Sequence, residues 1–134
     1  MLRRSAPRND RKGRNTKVSP IERRIVFALA YSGFSSIGIA LEGGKLTIDL
    51  QNNKYFYSSR AVTVALEAIA PLVRDNNAAG NRIDQITLIM KENGLPLYSY
   101  RTMVDDLLEY AAEKLSYGEF YSLGTTDTGY TSLP

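Results

Sequence analysis

The chain of 134 residues is long enough for one ordinary core, and at 43% apolar and 23% charged it has the balance of a globular domain. It contains no cysteine and no histidine, which excludes disulfides, thiolate chemistry, Cys-ligated zinc and the usual general base near neutral pH. The net charge of +3 is uneven: residues 1–24 carry nine basic and two acidic side chains, a net +7, and the other 110 carry eight and twelve, a net −4.

Residues 1–19 hold few apolar side chains and many charges, too little to offset the entropy of ordering, and are expected to form a disordered basic arm. Arg3, Arg4, Arg8, Arg11, Lys12, Arg14 and Lys17 would let it find RNA, anionic lipid or an acidic protein surface; a solubilising tail is the plainer alternative. Ser19, Pro20 and Glu22 then spell a capping box with proline at the first helical position, and Ile21, Ile25, Phe27, Ala28 and Leu29 are the expected buried face of a first helix. Its apolar run stops at Tyr31-Ser32-Gly33, far short of the roughly twenty residues that span a bilayer.

Two hairpins are predicted. Ile37, Ile39 and Leu41 alternate with small residues before Glu42-Gly43-Gly44, and Leu46, Ile48 and Leu50 alternate with polar ones after it. Ile86, Leu88 and Met90 lead into Asn93-Gly94, and Leu95 to Tyr100 return; Pro96 is expected to push that strand to an edge or delay its pairing. Between the hairpins, Val62, Val64-Ala65-Leu66, Ile69 and Leu72-Val73 have helical spacing, with Ser58 or Ser59 as cap and Pro71 as a kink or early end. Asp75 to Asn81 reads as a polar linker. Thr102 is the expected cap of a third helix whose stripe is Val104, Leu107, Leu108, Ala111, Ala112 and Leu115, with Asp105 and Asp106 suiting the positive end of its dipole. From Tyr117 to Pro134 no periodicity is visible, and an irregular tail is expected.

The elements give an α+β domain over residues 20–116 in the order αββαββα, a four-stranded, mostly antiparallel sheet with helices packed on one face. No phosphate loop, dinucleotide fingerprint, nucleophile elbow or calcium loop is present, so no cofactor, no metal and no catalytic residue are expected. The nine tyrosines stand out. Tyr55, Tyr57, Tyr98 and Tyr100, with Arg60 and Arg101 beside them, are the candidate binding residues: on one open sheet face they would form a platform for sugar rings, bases or a protein partner. The alternative is that they finish the core with their hydroxyls at its edge.

Gly33-Phe34, Gly43-Gly44 followed by Lys45-Leu46-Thr47-Ile48, Gln51-Asn52-Asn53-Lys54-Tyr55, Ile86-Thr87-Leu88-Ile89 and Gly94-Leu95-Pro96-Leu97 together resemble the YjbH-like family of bacterial exopolysaccharide biosynthesis and export over about residues 21–115. Gln51 stands where that family has an acid and Lys54 where it has an arginine. The resemblance implies a soluble module of such a protein, located in the cell envelope or periplasm, and supplies no catalytic residue. A native N-terminus as given would instead imply the cytoplasm.

The expected function is a non-enzymatic interaction module, an accessory subunit of a larger assembly linked to exopolysaccharide biosynthesis or export. Its partner is expected to be a protein, with polysaccharide as a further ligand and no membrane-spanning segment. Two other classes are an RNA- or ribosome-associated protein using nucleic-acid contacts of the arm, and a carboxylate-dependent glycan hydrolase.

Overall fold

A computed structural model describes residues 20–55 and 57–128. In chain order they form α1 (Pro20–Tyr31), β1 (Phe34–Glu42), β2 (Lys45–Asn52), α2 (Ser58–Ala78), β3 (Gln85–Glu92), β4 (Leu95–Met103), α3 (Val104–Ala111), α4 (Tyr117–Leu123) and β5 (Thr125–Asp127). The arm at residues 1–19, its proposed Ser19 cap, and residues 129–134 lie outside the described residues.

Both hairpins close through two-residue turns, with Glu42 opposite Lys45 and Glu92 opposite Leu95. Gly43 (φ 59°), Gly44 (φ 81°), Asn93 (φ 53°) and Gly94 (φ 80°) all sit in the left-handed region, the signature of turns that match strand twist. The hairpins lie side by side in a sheet of order β1-β2-β3-β4-β5. The central β2–β3 pair is parallel, because α2 carries the chain back across the sheet, and the other three pairings are antiparallel. The fifth strand comes from the expected irregular tail, through three residues that pair with Ser99–Arg101.

Strand parity sets the two faces. Leu46, Ile48 and Leu50 register with Ile86, Leu88 and Met90, and these in turn with Thr102, Tyr100 and Tyr98. That face meets Ile25 and Leu29 of α1, the α2 stripe, Val104 and Leu107 of α3, and Phe120 of α4 in a single buried cluster. The opposite face, with Thr47, Asp49, Gln51, Thr87, Ile89 and Lys91 half-buried, is polar; Lys91 Nζ reaches Asp49 Oδ1 at 2.8 Å and the Ser36 carbonyl at 3.0 Å across it.

Several boundaries differ from expectation for local reasons. Phe27 is 76% exposed, being two residues from both Ile25 and Leu29 and so about 200° around the helix from each. Helix α2 runs seven residues past Pro71: the proline is on the exposed side, while Val73 beyond it is fully buried. Burying such a side chain contributes roughly 1.5–3 kcal/mol, enough to offset one lost backbone bond. Asn77 then fixes the exit, accepting from the Ile83 N–H (2.7 Å) and donating to its carbonyl (2.9 Å). Neither Ser58 nor Thr102 caps a helix; the cap positions are Tyr57 and Met103, without side-chain bonds, and Thr102 is buried in β4. Helix α3 ends at Ala111, before Leu115. Pro96 falls where β4 is a sheet edge among the described residues, since β5 pairs with Ser99–Arg101, and the register with β3 shifts there, with Met90 opposite Tyr98 and Lys91 opposite Pro96.

Two of the sequence motifs meet in space. Asn52 Oδ1 accepts from the backbone N–H groups of Lys54 (3.1 Å) and Tyr55 (2.9 Å), which turns the chain so that the Tyr55 hydroxyl donates to the Ser32 carbonyl at 2.8 Å. The Tyr55 ring then lies 5.7 Å from that of Phe34, the first residue of β1. The glycine-phenylalanine pair and the Gln51–Tyr55 segment therefore form one structural joint between α1, β1 and β2.

Candidate functional site

The six candidate binding residues do not share a surface. Tyr98 and Tyr100 point to one side of β4, as alternation requires, but that side is the core side. Tyr100 is fully buried, stacked on Tyr121 at 4.7 Å and 8°, and its hydroxyl donates to the Tyr121 carbonyl (2.9 Å). Burial pushes its pKa up to about 12. Tyr98 is half-buried and hydrogen-bonded hydroxyl to hydroxyl with Tyr121; burial first, and that bond second, raise its pKa. Arg101, opposite Thr87 and Thr125, falls on the other side of the sheet. Tyr55 is committed to the joint described above. A platform through Tyr98 and Tyr100 is thereby corrected: these rings seat the C-terminal helix.

Tyr57 and Arg60 do come together, in a different setting. Tyr57, 67% exposed, precedes α2, and Arg60 lies one turn in. With Ser59, Thr63, Glu67, Tyr110 and Tyr117 they line a groove of about 410 Å³ between α2, α3 and α4. The Tyr110 hydroxyl donates to Glu67 Oε2 at 2.8 Å, and its ring stacks on Phe120 at 4.7 Å and 12°. Burial, then the bond to Glu67, push the Tyr110 pKa up to about 12. Tyr117, 41% exposed, meets Tyr110 edge-on at 6.4 Å and 61°. Beyond the Glu67–Tyr110 pair a second cavity of about 760 Å³ continues between α2 and α3 past Pro71, Arg74 and Lys114.

Tyr110, Tyr117 and Glu67 were not among the candidates. A signal for Tyr117 exists in Ser116-x-x-Glu119: the Ser116 hydroxyl accepts from the Glu119 N–H (3.1 Å), and Glu119 Oε1 accepts from the Ser116 N–H (2.9 Å). Those bonds hold the Glu119 carboxyl below its usual pKa. Glu67 follows Arg60 by seven residues, hence on the same side of α2.

A second surface is built on α1. Phe27 stands as a ridge on α1 between a groove of about 500 Å³ against β1, lined by Val26, Ala30 and Ile39, and one of about 630 Å³ against Ala68, Pro71 and Leu72 of α2. Strand β1 itself is an edge strand whose sequence FSSIGIALE carries one charge, at its end.

Among the described residues no cluster of three or more potential metal ligands occurs, and no helix is long and apolar enough to cross a membrane. The basic-arm positions, Arg3 to Lys17, lie outside the described residues. The geometry thus defines a small α+β domain with a helix-covered sheet, an aromatic groove and an apolar ridge. The family described as exopolysaccharide biosynthesis protein YbjH matches residues 1–131, and the chain belongs to it. Neither curated proteins nor solved structures give a match.

Proposed function

We propose that this chain is a non-enzymatic interaction module, an accessory component of the assembly in which its family serves exopolysaccharide biosynthesis. The observation that supports this reading is the pairing of the exposed Phe27 ridge with the β1 edge. An edge strand offers unpaired N–H and C=O groups, and natural proteins usually protect it with lysine, proline or a cover. Among the described residues, Gly38–Leu41, beyond the bulge at Ser36-Ile37, has no lysine, proline or cover, and an apolar groove runs beside it. An extended segment of a protein partner can add to such an edge, its backbone supplying affinity and its alternate side chains filling the groove.

Among the described residues Glu67 is the carboxylate that lines the aromatic groove itself, and it already accepts a hydrogen bond from the Tyr110 hydroxyl, while Glu113 lines only the adjoining cavity. Glycoside hydrolysis ordinarily uses a pair of carboxylates, which favours binding over cleavage. In the organism that makes this chain, deletion should lower exopolysaccharide output, wild type should restore it, and Phe27→Glu should fail to do so while melting within a degree or two of wild type. Restoration by Phe27→Glu would refute the ridge as the partner contact. Release of reducing ends from exopolysaccharide by the purified chain, abolished by Glu67→Gln, would refute the non-enzymatic assignment.

A further inference from the structure

We propose that the groove between α2, α3 and α4 binds a short acidic oligosaccharide, with sugar rings on Tyr57 and Tyr117 and a carboxylate at Arg60; the choice of a saccharide rests on the exopolysaccharide reading above. A pyranose ring has an apolar C–H face that packs on an aromatic ring, and a rim of hydroxyls that need donors and acceptors. The groove offers both. Tyr57 and Tyr117 expose their rings, and Tyr110 is held in place by Phe120 on one side and Glu67 on the other. Walls fixed before the ligand arrives reduce the ordering cost of binding.

The ring geometry is compatible with a saccharide. Tyr110 and Tyr117 meet at 61°, so these two do not form the parallel pair that would sandwich a nucleobase. Rings at changing angles suit successive sugar units, which turn relative to one another. The volume of about 410 Å³ lies within the roughly 300–1,000 Å³ of small-ligand sites, and the adjoining 760 Å³ cavity gives a longer chain a path.

Arg60 supplies the acidic preference. It is exposed and makes no ion pair among the described residues, and its charge acts on the nearby Tyr110 hydroxyl. A free guanidinium beside aromatic rings is a bidentate receptor for a carboxylate. The N-terminus of α2, which has no side-chain cap, opens at the same end and adds to the positive potential there.

The test titrates the full chain with tetragalacturonate and, separately, with cellotetraose, following tyrosine fluorescence and backbone amide shifts. Tetragalacturonate should bind at least tenfold more tightly, with shifts centred on residues 57–67 and 110–117. Tyr117→Ala should weaken it at least tenfold, and Arg60→Ala should erase the preference over cellotetraose. Arg60 is exposed, so Arg60→Ala should keep the wild-type melting temperature; Tyr117 also packs on Tyr110 and Tyr121, so Tyr117→Ala should melt a few degrees lower and is titrated well below its own midpoint. Absence of binding by either probe at millimolar concentration, equal affinity for the two, or tetragalacturonate binding unchanged in both variants would each overturn the proposal. Exopolysaccharide output restored by Tyr117→Ala but not by Phe27→Glu would sink this site while leaving the interaction module standing.

Discussion

Gly124→Ala isolates what holds the C-terminal helix on the sheet. Gly124 has φ −88° and ψ 176°, a backbone that any residue adopts, so conformational strain does not explain the glycine. A methyl group there would fall inside the contact distance of the Tyr100 ring, against Cζ, Cε1 and the hydroxyl. That ring cannot step aside at little cost. It is fully buried, stacked on Tyr121, and its hydroxyl is held by the Tyr121 carbonyl at 2.9 Å and the Phe120 carbonyl at 3.3 Å. Overpacking of a tight core costs about 1–3 kcal/mol, and breaking the hydroxyl's bonds about 1 kcal/mol more. We therefore expect a loss of about 2–4 kcal/mol, which at roughly 4 °C per kcal/mol for a domain of this size lowers the midpoint by about 8–16 °C. Thermal and urea unfolding followed by circular dichroism measure it. Gly118→Ala is the matched control: it is the second residue of α4, nothing outside the helix's own backbone lies within 4 Å of its added methyl, and alanine is the better helix former by at most about 1 kcal/mol. The reasoning fails if Gly124→Ala melts within about 2 °C of wild type, or if the two substitutions destabilise alike.

Further outcomes concern the same cluster. Tyr100 and Tyr110 each have a pKa raised from the ordinary 10 to about 12, so between those values the folded state holds protons that the unfolded chain has released. Their contribution is complete below about pH 10 and is withdrawn as pH rises toward 12, on the order of 2 kcal/mol for the buried Tyr100; urea midpoints should fall across that window, and a flat profile would contradict the burial. Ser116→Ala removes the reciprocal cap of α4 and should cost about 1 kcal/mol, with faster amide exchange confined to residues 117–127. Protection of those amides equal to wild type would show that the cap is dispensable.

What the sequence reveals depends on how local the cause is. Gly43-Gly44 and Asn93-Gly94 specify their turns through their own dihedral preferences, and both hairpins form where the pattern places them. Period-two alternation also groups Tyr98 with Tyr100 correctly. It cannot say which side of β4 the helices cover, and tyrosine, apolar in body and polar at the tip, suits either. The tail is harder still. Helix α4 has seven residues, too few for a period to show, and β5 has three, which become a strand only because β4 presents an open flank at Ser99–Arg101. Pro71 misleads for the opposite reason: its local effect is real, but the burial of Val73 lies outside any local rule.

The two proposed surfaces draw on different parts of the chain, and this makes them separable. Phe27 and the β1 edge belong to α1 and the first hairpin, whereas one wall of the aromatic groove is Tyr117, whose helix is positioned by Phe120 and Tyr121 against Tyr100. Its other wall, Tyr57 to Glu67, lies about fifty residues earlier in sequence on α2. The groove is therefore present only when α4 is docked, and loosening α4 through Gly124 should move Tyr117 while leaving Phe27 in place. Substitutions at distant, unshared contacts add in their effects. Combining Gly124→Ala with Phe27→Glu should accordingly give the sum of the two stability changes, with loss of oligosaccharide binding traced to the first substitution alone and loss of partner capture to the second.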